Sequence, residues 1–312
     1  MRVAVVFDTP YARWTPDDHR RQMERELSGE TGAEAEMEYQ VAGALVEAGH
    51  EILLIGMHGD PRALLDHCAA WKPEMVMNCA ESFLGNASLD HLSPTLLEAG
   101  GYRYTGCAPL ALQVTRDKAM SKKILAYHGI RIPAFEAYRT REKVTEPPSF
   151  GFPVIVKPLA TDASIGIAQA SVVETVEALA ERVAWVHERF GQPAIVEQFV
   201  AGRELYAGVL GNDERFEVLP LTELVFDKDK TEPEERIATR SAKWGEAYRK
   251  RKGIRNVLAR PLSAVAKERI EVACRTAGKA LWLRDYARID LRLSDDDEVW
   301  VIEANEIGRA HV

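Results

Sequence analysis

The fold of this chain is decided by two neighbouring stretches, YARIDLRL at residues 286–293 and VWVIEAN at residues 299–305. Both are rich in apolar and β-branched residues, which predicts two strands, and the sequence SDDD at 294–297 is typical of a turn between them. Glu303 and Asn305 are two residues apart, so they leave the same face of the second strand. The resulting hairpin brings Asp290 of the first strand near them.

These three residues supply two carboxylates and an amide oxygen, which are ligands that suit a hard cation such as Mg²⁺, with Mn²⁺ as an alternative. The competing interpretation is that Asp290, Glu303 and Asn305 belong to a solvated hairpin face. The neighbours Val301 and Ile302 argue against it, because an acid embedded in an apolar strand needs a partner or an ion. The hairpin is therefore a candidate cation site.

The composition limits the class of protein. With 312 residues, 46% of them hydrophobic, the chain is long enough for two or three domains with their own cores. A net charge of −8 argues against a nucleic-acid partner. The four cysteines lack CxxC spacing and indicate reduced thiols of a cytoplasmic protein. The first strand starts too early for a signal peptide, and no apolar run reaches the length of a membrane span, so no membrane partner is expected.

The first third of the chain alternates strands and helices. Such alternation predicts a parallel sheet covered by helices on both faces. The strands are predicted at 3–7, 51–55, 75–78 and 101–105, and the helices at 34–48, 62–71 and 93–99.

Two features of this part concern function. The charged stretch 9–35 is too long for an ordinary connection, so it is predicted to be a functional loop or a mobile flap with little specific chemistry. Ligands of parallel sheets lie beyond the carboxyl ends of the strands. Glu81 follows the third strand and is therefore a candidate substrate-contacting acid, although an ordinary loop acid is the alternative.

The middle of the chain carries two lysines in positions that suit phosphate. Lys118 is expected in the first turn of a helix that begins near Thr115, where the helix end attracts anions. Lys157 ends a predicted strand at 152–158, and a loop of small residues with Ser164 and Gly166 follows it. Such a loop can fold over phosphates, but many ordinary turns look the same.

Further strands are predicted at 194–200 and 205–210, and a long helix at 261–281 leads to the hairpin. The charged segment 226–253, which contains Lys243, is predicted to be a mobile loop, with a solvated linker as the alternative.

Taken in order, these motifs resemble the ATP-grasp superfamily and, within it, the D-alanine–D-alanine ligases. The resemblance covers nearly the whole chain. It rests on Asp117-Lys118, Val156-Lys157-Pro158, the small-residue loop, Val196-Glu197-Gln198-Phe199, Gly202-Arg203-Glu204, Ala242-Lys243-Trp244, Ala287-Arg288-Ile289-Asp290 and Glu303-Ala304-Asn305.

The resemblance implies an α/β protein with the ATP-grasp fold and an N-terminal Rossmann-like, pre-ATP-grasp parallel-sheet domain. The implied domains are residues 1–114, a central ATP-grasp subdomain at 115–202 and a C-terminal subdomain at 203–305. It also implies a role for each motif. For the phosphates of ATP, the implied residues are Lys118 and Lys157, which neutralise them, Ser164 and Gly166 in the lid over them, and Lys243, which reaches the γ-phosphate. For the nucleoside, they are Glu197, Gln198, Phe199 and Val200 in the adenine hinge and Glu204 at the ribose. Mg²⁺ is held by Asp290, Glu303 and Asn305, and Arg288 stabilises the oxyanion of the tetrahedral intermediate.

The implied activity is an ATP-dependent carboxylate–amine ligase that forms a dipeptide through an acyl phosphate. In this family the activity serves peptidoglycan biosynthesis, the substrates are small amino acids, and a homodimer is compatible with it. Three alternatives stay open: a ligase for another amino acid or amine, a nucleotide-binding protein without turnover, and a phosphotransferase on the same scaffold.

The sequence departs from the family pattern in three places. Asn78-Cys79-Ala80-Glu81-Ser82 stands where the family has a His-Gly motif and an acidic pair, and the stretch 9–35 replaces a glycine-rich substrate loop. Residues 306–312 resemble the translation of a sequencing adapter, so we expect them to be non-native and the subdomain before them to be truncated; a divergent natural tail is the alternative. On that expectation the chain binds Mg-ATP but turns over little.

Overall fold

The computed structural model describes residues 1–32, 34–161, 164–212, 215–231 and 236–306. These residues form two compact units. One unit contains Met1–Leu112 together with Glu306, and the other contains Gln113–Asn305. Each unit has its own core and is described by itself.

The first unit is built around a parallel sheet in the order β2–β1–β3. Alternate residues of β1 enter two cores: Ala4 and Val6 pack on one face, and Val5 and Phe7 pack on the other. Helices therefore cover both faces, and the prediction of a parallel α/β sheet is confirmed. In chain order the elements are β1 (Arg2–Asp8), α1 (Pro16–Leu27), α2 (Met37–Glu47), β2 (Glu51–Met57), α3 (Arg62–Trp71), β3 (Met75–Asn78), α4 (Leu92–Ala99) and α5 (Pro109–Arg116), whose last turn belongs to the second unit.

The prediction of a loop over residues 9–35 is wrong, because α1 occupies its middle. Thr15 and Asp18 form a reciprocal capping box, and Pro16 takes the first helical position. His19 and Met23, four residues apart, are the buried residues of the helix. The capping signal was present in the sequence, but the high charge of the stretch concealed it.

The predicted fourth strand at 101–105 is also wrong. Within the described residues this segment makes only an isolated parallel bridge, between Tyr104 and Val76. The Tyr104 side chain is nevertheless buried in the core of the unit. An apolar segment can therefore lie at a sheet edge without forming the ladder of a strand.

The second unit contains two antiparallel sheets. The central sheet has the order β4–β7–β5–β6, and the C-terminal sheet has the order β11–β10–β8–β12–β13, with β9 paired to β8. The elements are α6 (Lys118–Tyr127), β4 (Phe135–Tyr138), β5 (Val154–Pro158), β6 (Val172–Val173), α7 (Val176–Phe190), β7 (Ala194–Gln198), β8 (Arg203–Asn212), β9 (Arg215–Val218), β10 (Thr222–Val225), α8 (Arg240–Trp244), α9 (Glu246–Lys252), β11 (Arg255–Leu258), α10 (Ala264–Ala280), β12 (Asp285–Leu293) and β13 (Val299–Glu306).

The interpretation of 226–253 as a loop is corrected by α8 and α9. Thr239 caps α8, since its side chain accepts a hydrogen bond from the backbone N–H of Ala242 at 3.1 Å. The Arg249 side chain donates to the carbonyl of Lys243 at 2.7 Å and so joins α9 to the end of α8. These contacts give the segment that carries Lys243 a defined structure.

The domain boundaries near 114 and 202 stay a prediction, although the central and C-terminal sheets fall on either side of Val200. The predicted non-native segment 306–312 lies outside the described residues except for Glu306, which ends β13. In the described ranges, no helix combines the length and the apolar character that crossing a membrane requires.

A buried carboxylate fixes the far side of the C-terminal sheet. Glu223 of β10 is 1% exposed and accepts hydrogen bonds from Arg203 of β8 at 2.7 Å and from the backbone of Arg260 at 3.1 Å. Burial alone would raise the pKa of this carboxyl group, but the hydrogen bonds from Arg203 and Arg260 lower it to about 2. The contact ties two strands to the chain segment that enters α10.

The pH dependence of stability should reveal this contact. Because the folded pKa lies below the ordinary value of 4.5, the stabilisation is complete above pH 4.5 and is lost as the pH falls towards 2. We expect Glu223→Gln to lower the free energy of unfolding at pH 7 by roughly 3 kcal/mol, and by less at pH 3. Urea unfolding at both pH values measures this, with the exposed Glu217→Gln as the control. Equal losses at the two pH values would contradict the assignment.

Candidate active site

A pocket in the second unit is lined by residues of both antiparallel sheets. The lining includes apolar side chains such as Ile155, Ile237 and Ile302. Most of the site residues that the sequence predicts in this unit also line it, namely Lys157, Ser164, Glu197, Gln198, Phe199, Val200, Glu204, Lys243, Asp290 and Glu303. Four further predicted residues lie beside lining residues, namely Lys118, Gly166, Arg288 and Asn305.

Two lysines hold a buried carboxylate on the central sheet. Lys157 Nζ lies 2.8 Å from one oxygen of Glu197, and Lys122 Nζ lies 3.3 Å from the other. Burial would raise the pKa of Glu197, but the charges of Lys122 and Lys157 outweigh it and lower that pKa. Lys122 also donates to the carbonyl of Ile302 on β13 at 2.8 Å, so it joins the central sheet to the hairpin.

The small-residue loop after β5 has a conformation that depends on glycine. Gly166 has φ of +81°, and a Cβ there would lie 2.7 Å from Pro158 and 2.9 Å from Phe190. Its carbonyl accepts a hydrogen bond from Arg182 of α7 at 2.6 Å, and Ile167 N–H donates to the carbonyl of Ser164. Residues 162–163 of the small-residue loop, which precede the predicted lid, lie outside the described residues.

The predicted hinge begins with the last two residues of β7, Glu197 and Gln198, and continues through Phe199 and Val200. The backbone N–H of Gln198 donates to Ala134, and that of Phe199 donates to Pro153, at 2.8 and 3.0 Å. These bonds attach the segment to the neighbouring backbone on its inner side. Val200 is the first hinge residue beyond these contacts, and it faces the pocket together with Gln198 and Phe199.

A carboxylate on β12 organises the C-terminal side of the pocket. Asp290 is 1% exposed and lies 3.0 Å from Lys243 Nζ and 2.7 Å from Arg288 Nε. The side-chain amide of Asn305 donates to the same carboxylate at 3.3 Å. The structure therefore brings together the hairpin residues Asp290 and Asn305 and the two cations that the sequence assigned to the same site.

Glu204 lies on the same sheet and is also ion-paired. Its carboxylate is 2.8 Å from Arg292 Nε and 4.0 Å from Lys243 Nζ. The ribose-binding role predicted for Glu204 is untested by these contacts, which show that its charge is held by Arg292.

Glu303 and Lys118 face each other across the hairpin and helix α6. Their charged atoms are 3.9 Å apart, and Lys118 Nζ also donates to the carbonyl of Thr161 at 2.8 Å. Burial raises the pKa of Glu303, but the positive charges of Lys118, Lys243 and other nearby cations dominate and lower it well below its usual range. Glu303 is therefore ionised at neutral pH.

The donor set of the hairpin fits a hard cation in chemical type. Asp290 and Glu303 are buried or half-buried carboxylates, and Asn305 adds an amide oxygen. No group of three or more His, Cys, Asp and Glu side chains that would hold a metal ion by themselves occurs in the described part of the chain. Mg²⁺ commonly takes one or two carboxylates from a protein and shares the ion with phosphate oxygens.

Glu81 lies in the first unit, at the carboxyl end of β3. Its backbone N–H donates to Asp8 at 3.0 Å, and Ser82 Oγ donates to the other oxygen of Asp8 at 2.8 Å. Asp8 itself ends β1, so the structure confirms the expected grouping of these residues at one edge of the parallel sheet. Contact between Glu81 and a substrate stays a prediction.

Several residues in and around the site are not among those that the sequence predicts. Lys122 was detectable because it stands one helical turn after Lys118, and Arg292 because it alternates with Arg288 and Asp290 along β12. Arg182 and Tyr206 carried no comparable signal. Each acts across a packed surface whose partner is distant in the sequence.

Lys122 should be important for stability because its loss leaves Glu197 with one cation in a buried site. We expect Lys122→Met to lower the free energy of unfolding by about 3 kcal/mol. Its neighbour Lys123 is exposed, so Lys123→Met is the matched control and should change stability by less than about 0.5 kcal/mol. Urea unfolding of both variants measures the difference, and equal effects would show that the buried contact is unimportant.

Comparisons with known proteins agree with this geometry. The family described as D-ala D-ala ligase C-terminus matches residues 123–308. An uncharacterized protein, y4sG, of Sinorhizobium fredii is 34% identical over 275 residues, covering 86% of this chain and 76% of that protein. A D-alanine–D-alanine ligase of Desulforudis audaxviator is 31% identical over 292 residues, covering 90% and 87%.

The solved structures show the same fold. The D-alanine–D-alanine ligase of Bacillus anthracis, solved in complex with ATP, superposes with a TM-score of 0.67 at 21% identity, covering 98% of this chain and 86% of that one. The predicted ATP-grasp fold is confirmed by this similarity. On the family match and the identity to the curated relatives, the chain belongs to the D-alanine–D-alanine ligase family of ATP-dependent ligases.

Proposed function

We propose that this protein uses ATP to join the carboxylate of one small amino acid to the amine of a second, as the name of its ligase relatives describes. The observation that carries this proposal is that residues of several separate motifs, from Lys157 to Glu303, line one pocket. A ligase of this type needs nucleotide contacts, phosphate-binding cations and an oxyanion-stabilising group in one site, and the pocket contains side chains suited to each.

The nucleotide fits the central side of the pocket. The predicted adenine hinge, Glu197, Gln198, Phe199 and Val200, lines the pocket on this side. Isoleucines 155, 237 and 302 supply the apolar surface for a flat ring.

The phosphates fit next to Lys157 and the loop that contains Gly166. Lys157 is held in place by Glu197, and Arg182 holds the loop by its carbonyl, so neither element needs to reorganise when an anion binds. A preorganised site is worth more than a flexible one, because phosphoryl transfer depends mainly on positioning and charge neutralisation. Ser164, which lines the pocket, and Gly166 are the lid residues of the proposed site.

Arg288 and Lys243 fit the chemical step. A carboxylate is a poor acyl donor, and ATP activates it as an acyl phosphate that an amine can attack. We assign the stabilisation of the developing oxyanion to Arg288, whose guanidinium pairs with the pocket residue Asp290, and one such donor typically contributes ~10²–10³-fold in rate. Asp290, Glu303 and Asn305 would hold Mg²⁺, with Mn²⁺ as the alternative, and the ion would offset phosphate charge beside these cations.

A second candidate function differs in the acceptor, which is the amino acid whose amine attacks the acyl phosphate. Residues 78–82 differ from the family pattern, and Asp8 holds Glu81 and Ser82 in place through hydrogen bonds. The fixed carboxylate is that of Asp8, and a negative charge at this edge favours a more polar or cationic amino acid than D-alanine. A ligase with a different second substrate is therefore the alternative function.

The remaining expectations concern the surroundings of the enzyme. We expect small amino acids as partners, no nucleic acid, a cytoplasmic location and compatibility with a homodimer. Light scattering on the purified protein measures the oligomeric state.

A substrate panel tests the proposed function. The protein is incubated with Mg-ATP and pairs of D- and L-amino acids, ADP is measured, and products are identified by mass spectrometry. ADP release that requires an amino acid and yields a dipeptide supports the ligase. ADP without a dipeptide would favour a phosphotransferase or idle hydrolysis. Nucleotide binding without ADP release would indicate a binding protein and overturn the proposal.

The magnesium set is tested by Glu303→Gln, which keeps the shape of the side chain but removes its charge. We expect turnover to fall by at least about 100-fold at moderate Mg²⁺, with partial recovery at high Mg²⁺. The control is Glu268→Gln, because Glu268 is exposed on the solvent side of α10. Glu298 is unsuitable as a control, since it pairs with Arg131 and Arg269. Wild-type turnover in Glu303→Gln would remove Glu303 from the metal set.

Replacing Arg288 should give a different kinetic result from replacing Glu303. An oxyanion exists only on the reaction path, so Arg288→Ala should lower kcat by about 100-fold or more while the KM for ATP changes little. Steady-state kinetics over a range of ATP concentrations separates the two parameters. An effect confined to the KM for ATP would place Arg288 in the nucleotide site.

A further inference from the structure

We propose that Tyr206 is a positioning residue whose ring holds Lys243 and Arg288 in their working positions. The inference rests on the proposed function for its kinetic part and on geometry alone for the rest. Tyr206 belongs to β8 and is 8% exposed, and it does not line the pocket. It therefore acts through the two cations and not by touching a substrate.

The ring lies directly beneath both cations. Lys243 Nζ is 5.0 Å from the ring centroid, and the guanidinium carbon of Arg288 is 5.3 Å from it. Both distances are within the range in which the negative face of an aromatic ring attracts a cation. One ring therefore contacts both cations that the proposed mechanism uses.

The sheet register explains why the tyrosine is in this place. Tyr206 is the cross-strand partner of Asp290 in the antiparallel pair of β8 and β12. Side chains of directly opposed residues share a face of the sheet, so the ring stands beside the carboxylate that pairs with Lys243 and Arg288. The Tyr206 hydroxyl donates to Glu204, two residues earlier on the same face, at 3.4 Å.

The ring also anchors the helix that carries Lys243. Tyr206 forms a buried cluster with Leu224, Ala242 and Ile254. Ala242 precedes Lys243 on α8, a helix of five residues that is too short to be stable alone. Packing against the ring therefore contributes to the position of the lysine through the backbone as well as through the charge.

The ring of Tyr206 and the carboxylate of Asp290 are different kinds of partner for the two cations. Asp290 belongs to the proposed magnesium set, and a carboxylate shared with a metal ion attracts its lysine and arginine less strongly. An aromatic ring does not ligate Mg²⁺, so its attraction for Lys243 and Arg288 is the same in either state. Tyr206 is thus the partner that stays constant when the charge of Asp290 is shared.

The alternative is that Tyr206 is only a core residue of the C-terminal sheet. Three variants separate the two roles. Tyr206→Phe keeps the ring and removes the hydroxyl, Tyr206→Leu removes the ring, and Tyr206→3,4,5-trifluorophenylalanine keeps the shape but weakens the negative face. Phe216→Leu is the matched control, because Phe216 is a buried aromatic of the same sheet that packs on Gly278 of α10.

Two measurements are made on each variant beside its melting temperature. The first is kcat and the KM for ATP in amino-acid-dependent ADP release. The second is the rate at which an amine-reactive reagent labels Lys243, followed by mass spectrometry with the exposed Lys250 as internal reference. Labelling reports the position of the lysine whatever reaction the protein catalyses, so it still decides the proposal if no amino acid supports ADP release.

We expect Tyr206→Leu and the trifluorophenylalanine variant to label Lys243 several-fold faster and to lower kcat about tenfold, with a smaller change in the KM for ATP. Tyr206→Phe should stay within about twofold of the wild type in both measurements. Phe216→Leu should lower the melting temperature without changing either. Wild-type labelling of Lys243 in the trifluorophenylalanine variant would overturn the proposal, even if Tyr206→Leu fails to fold.

Discussion

The site depends on one buried carboxylate, that of Asp290. It lies on β12, and its partners come from α8, from its own strand and from β13, at distances of 2.7 to 3.3 Å. A carboxylate that is 1% exposed is stable in ionised form only when cations and donors surround it. The need to satisfy this one charge therefore brings Lys243, Arg288 and Asn305 to the same point.

The central sheet contains a second buried carboxylate that is also surrounded by cations. Glu197 holds Lys157 and lies beside Lys122, and Lys122 reaches the backbone of Ile302 on the hairpin. Helix α6 presents Lys118 and Lys122 one turn apart, so a single helical face contacts both sheets of the unit. The two ion groups together place both cations and carboxylates along the walls of the pocket.

The sequence predicts correctly those strands and helices whose local patterns are strong. The strands around Lys157 and Asp290 were predicted because their apolar periodicity is strong, and α3 and β3 agree with the predicted bounds. The helix at 16–27 was missed although Thr15 and Asp18 carry a capping signature, because charge was given more importance than capping. The short helix α8 was missed because five residues contain less than two turns of periodic pattern, and its packing on Tyr206 supplies the missing stability.

The sequence by itself determined the main strands around the site, the family and the residue types that suit phosphate, a hard cation and an oxyanion. These follow from periodicity and from motif order, which are local properties of the chain. Only the tertiary structure decided which cation contacts which carboxylate. Lys122 and Ile302 are 180 positions apart, and Tyr206 meets Asp290 through the register of β8 and β12. Such contacts depend on how strands align and helices pack, and no local pattern in the sequence specifies that alignment.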